Sequence, residues 1–120
     1  METIKLAIIG SRTFNDYEFL KATVDGIIQE KNLSIGLIIS GGAKGADNLA
    51  HSYSIEKQLE IKIYNAEWGK YGRAAGLKRD FEIINDCDMC IAFWDGKSRG
   101  TKHSIDLCSK QNKECIIIKI

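Results

Sequence analysis

No proline occurs among the 120 residues, histidine occurs only twice, and no apolar run is long enough to cross a bilayer. The missing proline carries no functional message, but the missing apolar span argues against a membrane role. Charge of one sign is also missing: 17 Lys and Arg stand against 16 Asp and Glu, a net charge of +1. Non-specific binding to DNA or an anionic membrane needs a basic excess, so neither nucleic acid nor membrane is expected as a partner. The start METIKLAIIGSRTF has no basic segment and no small-residue cleavage site, which gives the expectation of a cytoplasmic protein. Cysteine is sparse, at four residues, and Cys87 and Cys90 form a C-x-x-C. Cys90 falls within the apolar run MCIAFW and Cys115 within CIIIKI, away from the tight turns that wrap zinc. They read as buried small side chains. His51 and His103 are isolated from each other, so no metal site and no cofactor is expected. The usual nucleotide signatures are absent as well. GSRTFN is not G-x-G-x-x-G, and GKS at 96–98 lacks the P-loop glycine five residues before Gly96, where Ile91 stands.

What is present is a regular alternation. IKLAIIG (4–10), IGLIIS (35–40), IKIYNA (61–66), DMCIAFWD (88–95) and ECIIIKI (114–120) read as strands. Helical spacing places Tyr17, Leu20, Val24, Ile27 and Ile28 on one face of 15–31, with a capping box from Asn15 and Glu18. It places Ala46, Leu49, Ala50 and Tyr53 on one face of 45–58, and Leu77, Phe81 and Ile84 on one face of 75–86. TKHSIDLCSKQ (101–111) supplies a further helix, while EWGKYGRA (67–74) reads as loop. Strands that are apolar throughout and separated by helices demand a parallel sheet covered on both sides. The fold class is therefore α/β: a Rossmann-like, doubly wound, mainly parallel five-stranded sheet with helices on both faces. The ordinary balance of 44% hydrophobic and 28% charged residues, without linker or repeat, makes 1–120 a single domain.

In open α/β sheets, ligands bind outside the carboxyl ends of the strands. The loops leaving those ends are GSRTF (10–14), SGGAKGAD (40–47), AEWGKYGRAAG (66–76) and WDGKSRGTKH (94–103), all rich in glycine and polar groups. The opposite loops, EKNLS and CSKQNKE, are plain solvated turns. Glycine leaves backbone N–H groups uncovered, and a helix N-terminus carries about half a positive charge. SGGAKGAD and GKSRGT thus make two candidate anion cradles. Each glycine alone could merely permit a tight turn, but two clusters on one edge favour a ligand.

GSRTFNDYEFL, SGGAKGAD, EWGKYGRAAGLKRD and IAFWDGKSRGTKHSI together resemble the YspA-related branch of the SLOG superfamily, in the same order and over nearly the whole chain. That superfamily is Rossmann-like. It includes the Lonely Guy phosphoribohydrolases, the DNA-uptake protein DprA and sensor domains that read NAD-derived signals. The resemblance implies a bound nucleotide or nucleotide derivative, and, by analogy with related dimers, a homodimer or higher homo-oligomer. It implies Gly10, Ser11 and Arg12 at one side of a pocket, with Ser40, Gly41, Gly42, Lys44 and Gly45 near phosphate or ribose. Asp47 would accept from sugar hydroxyls. Gly100 and Thr101 resemble a Lonely Guy phosphate loop, flanked by Asp95, Gly96, Lys97, Ser98 and Arg99, and Arg79 resembles an arginine those hydrolases use. The hydrolases' glutamate, three residues after that threonine, is Ser104 here, and Asp106 would lie about 200° round the helix.

Several side chains keep two readings. Arg12 clamps a phosphate bidentately or forms a surface ion pair. Trp68 and Tyr71 stack on a base or on the protein, whereas Trp94, ending a core strand, is packing. Lys97, Arg99 and Lys102 form a phosphate-attracting rim or a solvated loop. The leading expectation is a module that binds a nucleotide or NAD-derived small molecule, such as a nucleoside phosphate, an ADP-ribose-like molecule or a cyclic nucleotide signal, as sensor or sequestering device. The alternative is an N-glycosidase or phosphoribohydrolase, with Asp47, Glu67 and Arg79 as catalytic candidates, because glycosidic cleavage needs a carboxylate to activate water.

Overall fold

Odd and even residues of the strands bury against different layers, and this decides the architecture. In the computed structural model, which describes residues 2–120, the chain runs β1 (Ile4–Gly10), α1 (Tyr17–Lys31), β2 (Ile35–Ser40), α2 (Ala46–Glu56), β3 (Ile61–Ile63), α3 (Trp68–Tyr71), α4 (Ala74–Asp86), β4 (Met89–Trp94), α5 (Arg99–Lys110) and β5 (Glu114–Lys119). The strands form one sheet in the order β3-β2-β1-β4-β5, and every neighbouring pair is parallel. Leu6 and Ile8 of β1, Ile38 of β2 and Ile91 and Phe93 of β4 pack with Leu20 and Val24 of α1 and Ala50 and Tyr53 of α2. Their sequence neighbours Ala7, Ile9, Ile39 and Ala92 face the other layer, with Ile83 and Ile84 of α4 and Cys108 of α5. Each such aliphatic side chain removed from water contributes about 1.5–3 kcal/mol. The fold is α/β and Rossmann-like, with helices on both faces of an all-parallel sheet.

Local chemistry sets the element ends. The Asp16 carboxylate accepts from the Phe19 amide at 3.1 Å, so Asp16 and not Asn15 caps α1. At the far end of α4, the Lys113 ammonium donates to the carbonyls of Ile84, Asn85 and Cys87 at 2.6–2.8 Å, satisfying acceptors the helix leaves open.

Three expectations change. β3 stops at Ile63 rather than at residue 66, although the Tyr64 amide still reaches the Ser40 carbonyl at 2.9 Å. Part of the stretch expected as loop is the single turn α3. On α4, Leu77 and Phe81 are 54% and 52% exposed; the buried stripe is Ala75, Asp80, Ile83 and Ile84. A spacing of four fits either stripe, and the polar Asp80 in the buried one conceals it from a purely apolar count.

Candidate functional site

Strand order reverses between β1 and β4, and the loops at that point must diverge to opposite faces, leaving a crevice. Phe14 anchors the loop after β1 by stacking on Phe93, with ring centroids 5.2 Å apart. Buried Ser11 joins three elements there. Its amide donates to the Phe93 carbonyl at 2.9 Å, its hydroxyl accepts from the Asp95 amide at 3.2 Å, and its carbonyl accepts from the Ala46 amide at 3.3 Å. The last contact requires Gly45. With φ at +75°, a Cβ there would fall on the carbonyl oxygens of Ser11 and Arg12.

The result is a cavity of about 310 Å³ whose wall includes Gly10, Ser11, Arg12, Asp47, Arg79, Asp95, Ser98, Gly100 and Thr101. A second pocket of about 360 Å³ shares Arg12, Ala43 and Arg79 with it and adds Gly41, Gly42, Lys44 and Trp68. Trp68 is 52% exposed and lies on Gly76 of α4, where a Cβ would stand 3.3 Å from the indole. Of the remaining expected positions, Ser40 is buried and donates to the Asp47 carbonyl at 3.2 Å. Gly45 packs beneath the first loop. Gly96, Lys97 and Arg99 are exposed and line neither pocket, and Glu67 lies by a separate pocket with Tyr64, Tyr71 and Lys78. Trp94 donates from Nε1 to the Ser98 carbonyl at 3.0 Å, and Asp106 pairs with Lys102 on the surface.

The helix starts converge on the cavity, but the chain itself takes several of their amides. Asp95 Oδ1 accepts from the Lys97 and Ser98 amides at 2.8 Å, and these hydrogen bonds lower its pKa. The Ser98 hydroxyl caps α5 by accepting from Thr101 N at 3.4 Å, and Asp47 Oδ2 accepts from Ala43 N at 3.2 Å. The expectation of bare amides is thus corrected at α5, where Asp95 and Ser98 take them; α2 has no side-chain cap at Gly45, and its Ala46 amide goes to the Ser11 carbonyl.

The charge at the floor is carried by side chains. Arg79 of α4 enters between the two pockets, with Nη1 3.4 Å from the Gly41 carbonyl and Nε 3.7 Å from Asp80 Oδ1. Among the described residues, Arg79 Nε is the buried side-chain nitrogen or oxygen left without a hydrogen-bond partner. Beside it are two buried carboxylates. Burial pushes Asp47 up to about 6, against the pull of the Ala43 amide and Arg79. Burial also raises Asp80, against the hydrogen bond from His103, whose Nδ1 lies 3.1 Å away. Asp80 was not among the expected site residues. Its signal is its place three and four residues before Ile83 and Ile84, on the stripe that faces the sheet. Ser104 lines the cavity.

The family model described as YAcAr: YspA, cpYpsA-related SLOG family matches residues 4–71. The chain is 33% identical over 108 residues to the gene 61 protein of Mycobacterium phage D29, covering 82% of this chain and 83% of that one. Its fold is similar to DNA processing protein A of Helicobacter pylori (TM-score 0.71, 19% identity, 95% of this chain and 64% of that one). It is also similar to DprA of Streptococcus pneumoniae (TM-score 0.75, 17% identity, 96% of this chain and 50% of that one). The chain thus spans half to under two thirds of those longer proteins. The H. pylori structure is described by its single-stranded DNA binding mode. A fold of this kind does take nucleic acid as partner, and the expectation that nucleic acid is not a partner does not stand. Net charge was the wrong quantity, because a sum of 17 against 16 says nothing of where Arg12, Lys44 and Arg79 gather.

Proposed function

This chain belongs to the YspA, cpYpsA-related SLOG family, and from that membership and the cavity's geometry we propose that it binds a nucleotide or NAD-derived small molecule at the carboxyl ends of its strands, as a sensor or sequestering module. The observation that carries this reading is the buried Arg79 Nε without a partner in the cavity wall. A buried donor left unpaired costs about 1–3 kcal/mol and calls for an acceptor, and a phosphate supplies one with its charge. Arg12, lining both pockets, closes on the same anion. Asp47 receives sugar hydroxyls, and the exposed Trp68 offers the base an aromatic face.

Mass spectrometry of small molecules released by denaturing freshly purified protein tests this: an intact nucleotide derivative supports it. Incubation with nucleoside monophosphates, NAD and ADP-ribose, followed by chromatography, separates binding from turnover. Free base that disappears in Asp80→Asn or Asp47→Asn makes the protein an N-glycosidase, with the raised carboxylates as the water-activating groups that Ser104 cannot supply.

A second reading, single-stranded DNA, rests on the fold shared with the H. pylori protein and on Trp68 standing exposed beside Arg12 and Lys44. Stacking on an aromatic platform within a basic groove serves a strand as well as a mononucleotide. Salt-dependent binding of an oligonucleotide, abolished in Trp68→Ala and not competed by ADP-ribose, would favour it.

A further inference from the structure

All four cysteines of the chain lie in the same one of its two core layers, although they come from four different places: the end of α4, β4, α5 and β5. The local Cys87–Cys90 pair is not what gathers them. Cys90 and Cys115 are register partners on adjacent strands, and Cys108 of α5 lies over both. The sulfurs of Cys90, Cys108 and Cys115 all fall within 4.8 Å of one another. Cys90 and Cys108 are buried, whereas Cys115, on edge strand β5, is partly open. These cysteines sit at the amino ends of their strands, opposite the nucleotide cavity, so the cavity makes no use of them.

We propose that Cys90, Cys108 and Cys115 form a three-sulfur site for a soft monovalent cation, Cu(I). Three sulfurs bound to one ion at about 2.3 Å stand about 4 Å apart, so this trio needs a contraction of less than about an ångström. Soft thiolate donors select such ions. Zinc is a poorer match: it wants a fourth ligand, and no His, Asp or Glu joins the trio among the described residues. Each Cu–S bond formed releases one thiol proton to solvent, and no electron moves. The Lys113 ammonium, fixed at the end of α4, offsets part of the added negative charge. Entry is past Cys115.

The test is an anaerobic titration of the reduced chain with Cu(I) held by the chromophoric competitor bathocuproine disulfonate. The expected result is withdrawal of one equivalent, with an X-ray absorption first shell of three sulfurs. Cys115→Ser should weaken binding at least about tenfold, while Cys87→Ala retains one equivalent. The absorption spectrum needs no variant, so it decides even where a core substitution fails to fold. No withdrawal of Cu(I), a shell containing nitrogen or oxygen, unchanged affinity in Cys115→Ser, or a disulfide formed in place of metal uptake would each overturn the proposal. Occupancy of this site leaves nucleotide binding unchanged, so the two assignments fail separately.

Discussion

The two ends of the sheet differ in what they bury. At the carboxyl ends, Ser11, Ser40, Asp47, Asp80, Thr101 and Ser104 are all buried, leaving Ser54 as the one other buried polar residue in the described chain. At the amino ends the buried layer is aliphatic and sulfur, closed by turns that hydrogen-bond to one another and to the strands beside them. Removing polar groups from water is unfavourable unless each finds a partner. The carboxyl end meets that demand with its own caps almost everywhere, and Arg79 Nε is where it does not. One end is thus finished as a folded object, and the other carries a buried donor without a hydrogen-bond partner.

The strongest way to break this contrast is Arg79→Ala. Truncating one partner of a buried charge pair commonly costs about 2–5 kcal/mol, so nucleotide affinity should fall about 30-fold or more, read by calorimetric titration. Gly45→Ala attacks the scaffold instead. Its Cβ would meet the Ser11 and Arg12 carbonyls at positive φ, and chemical denaturation should show a loss of about 2–3 kcal/mol. Trp68→Ala sharpens the contrast, because its indole faces solvent and the second pocket. It should weaken binding by about 1–3 kcal/mol, the scale of base stacking on an aromatic ring, with an unchanged Tm.

The last effect is pH-dependent. Asp47 has its pKa raised in the fold to about 6 from 3.8, so the folded state binds this proton more tightly than the unfolded chain does. The stability associated with the protonated form is present below about pH 4 and is lost as pH rises through about 6. Asp47→Asn should therefore stabilise the free protein by about 3 kcal/mol at pH 8 and by almost nothing at pH 4, measured from denaturant midpoints. The same variant should bind ligand more weakly, since the charged form is the better acceptor for sugar hydroxyls.

Much of the fold was legible because it rests on periodicity. Strands such as IGLII and MCIAFW are apolar at every position, which only a sheet covered on both faces permits. The loops of the site were legible from glycine and polar density. Two things were not. The inward face of α4 was hidden because Asp80, a polar residue, sits in its buried stripe while Leu77 and Phe81 face outwards. The capping of the loops was hidden because Asp95 and Ser98 look the same in sequence whether they bind a ligand or their own backbone. The sulfur trio escaped for a related reason. Its members are adjacent only across strand pairing and helix packing, and the visible C-x-x-C pointed to the wrong pair.

On the proposed reading a phosphate completes Arg79, whose Nε–H has no hydrogen-bond partner in the cavity wall. Calorimetric titration of the intact chain with a nucleoside monophosphate and with ADP-ribose, in parallel with Arg79→Gln, tests it most directly. Saturable one-site binding of at least one of them to the natural chain, and its loss in a variant that still unfolds cooperatively, is the expected result. Binding undiminished by Arg79→Gln, or no binding of either compound to the natural chain, would contradict it.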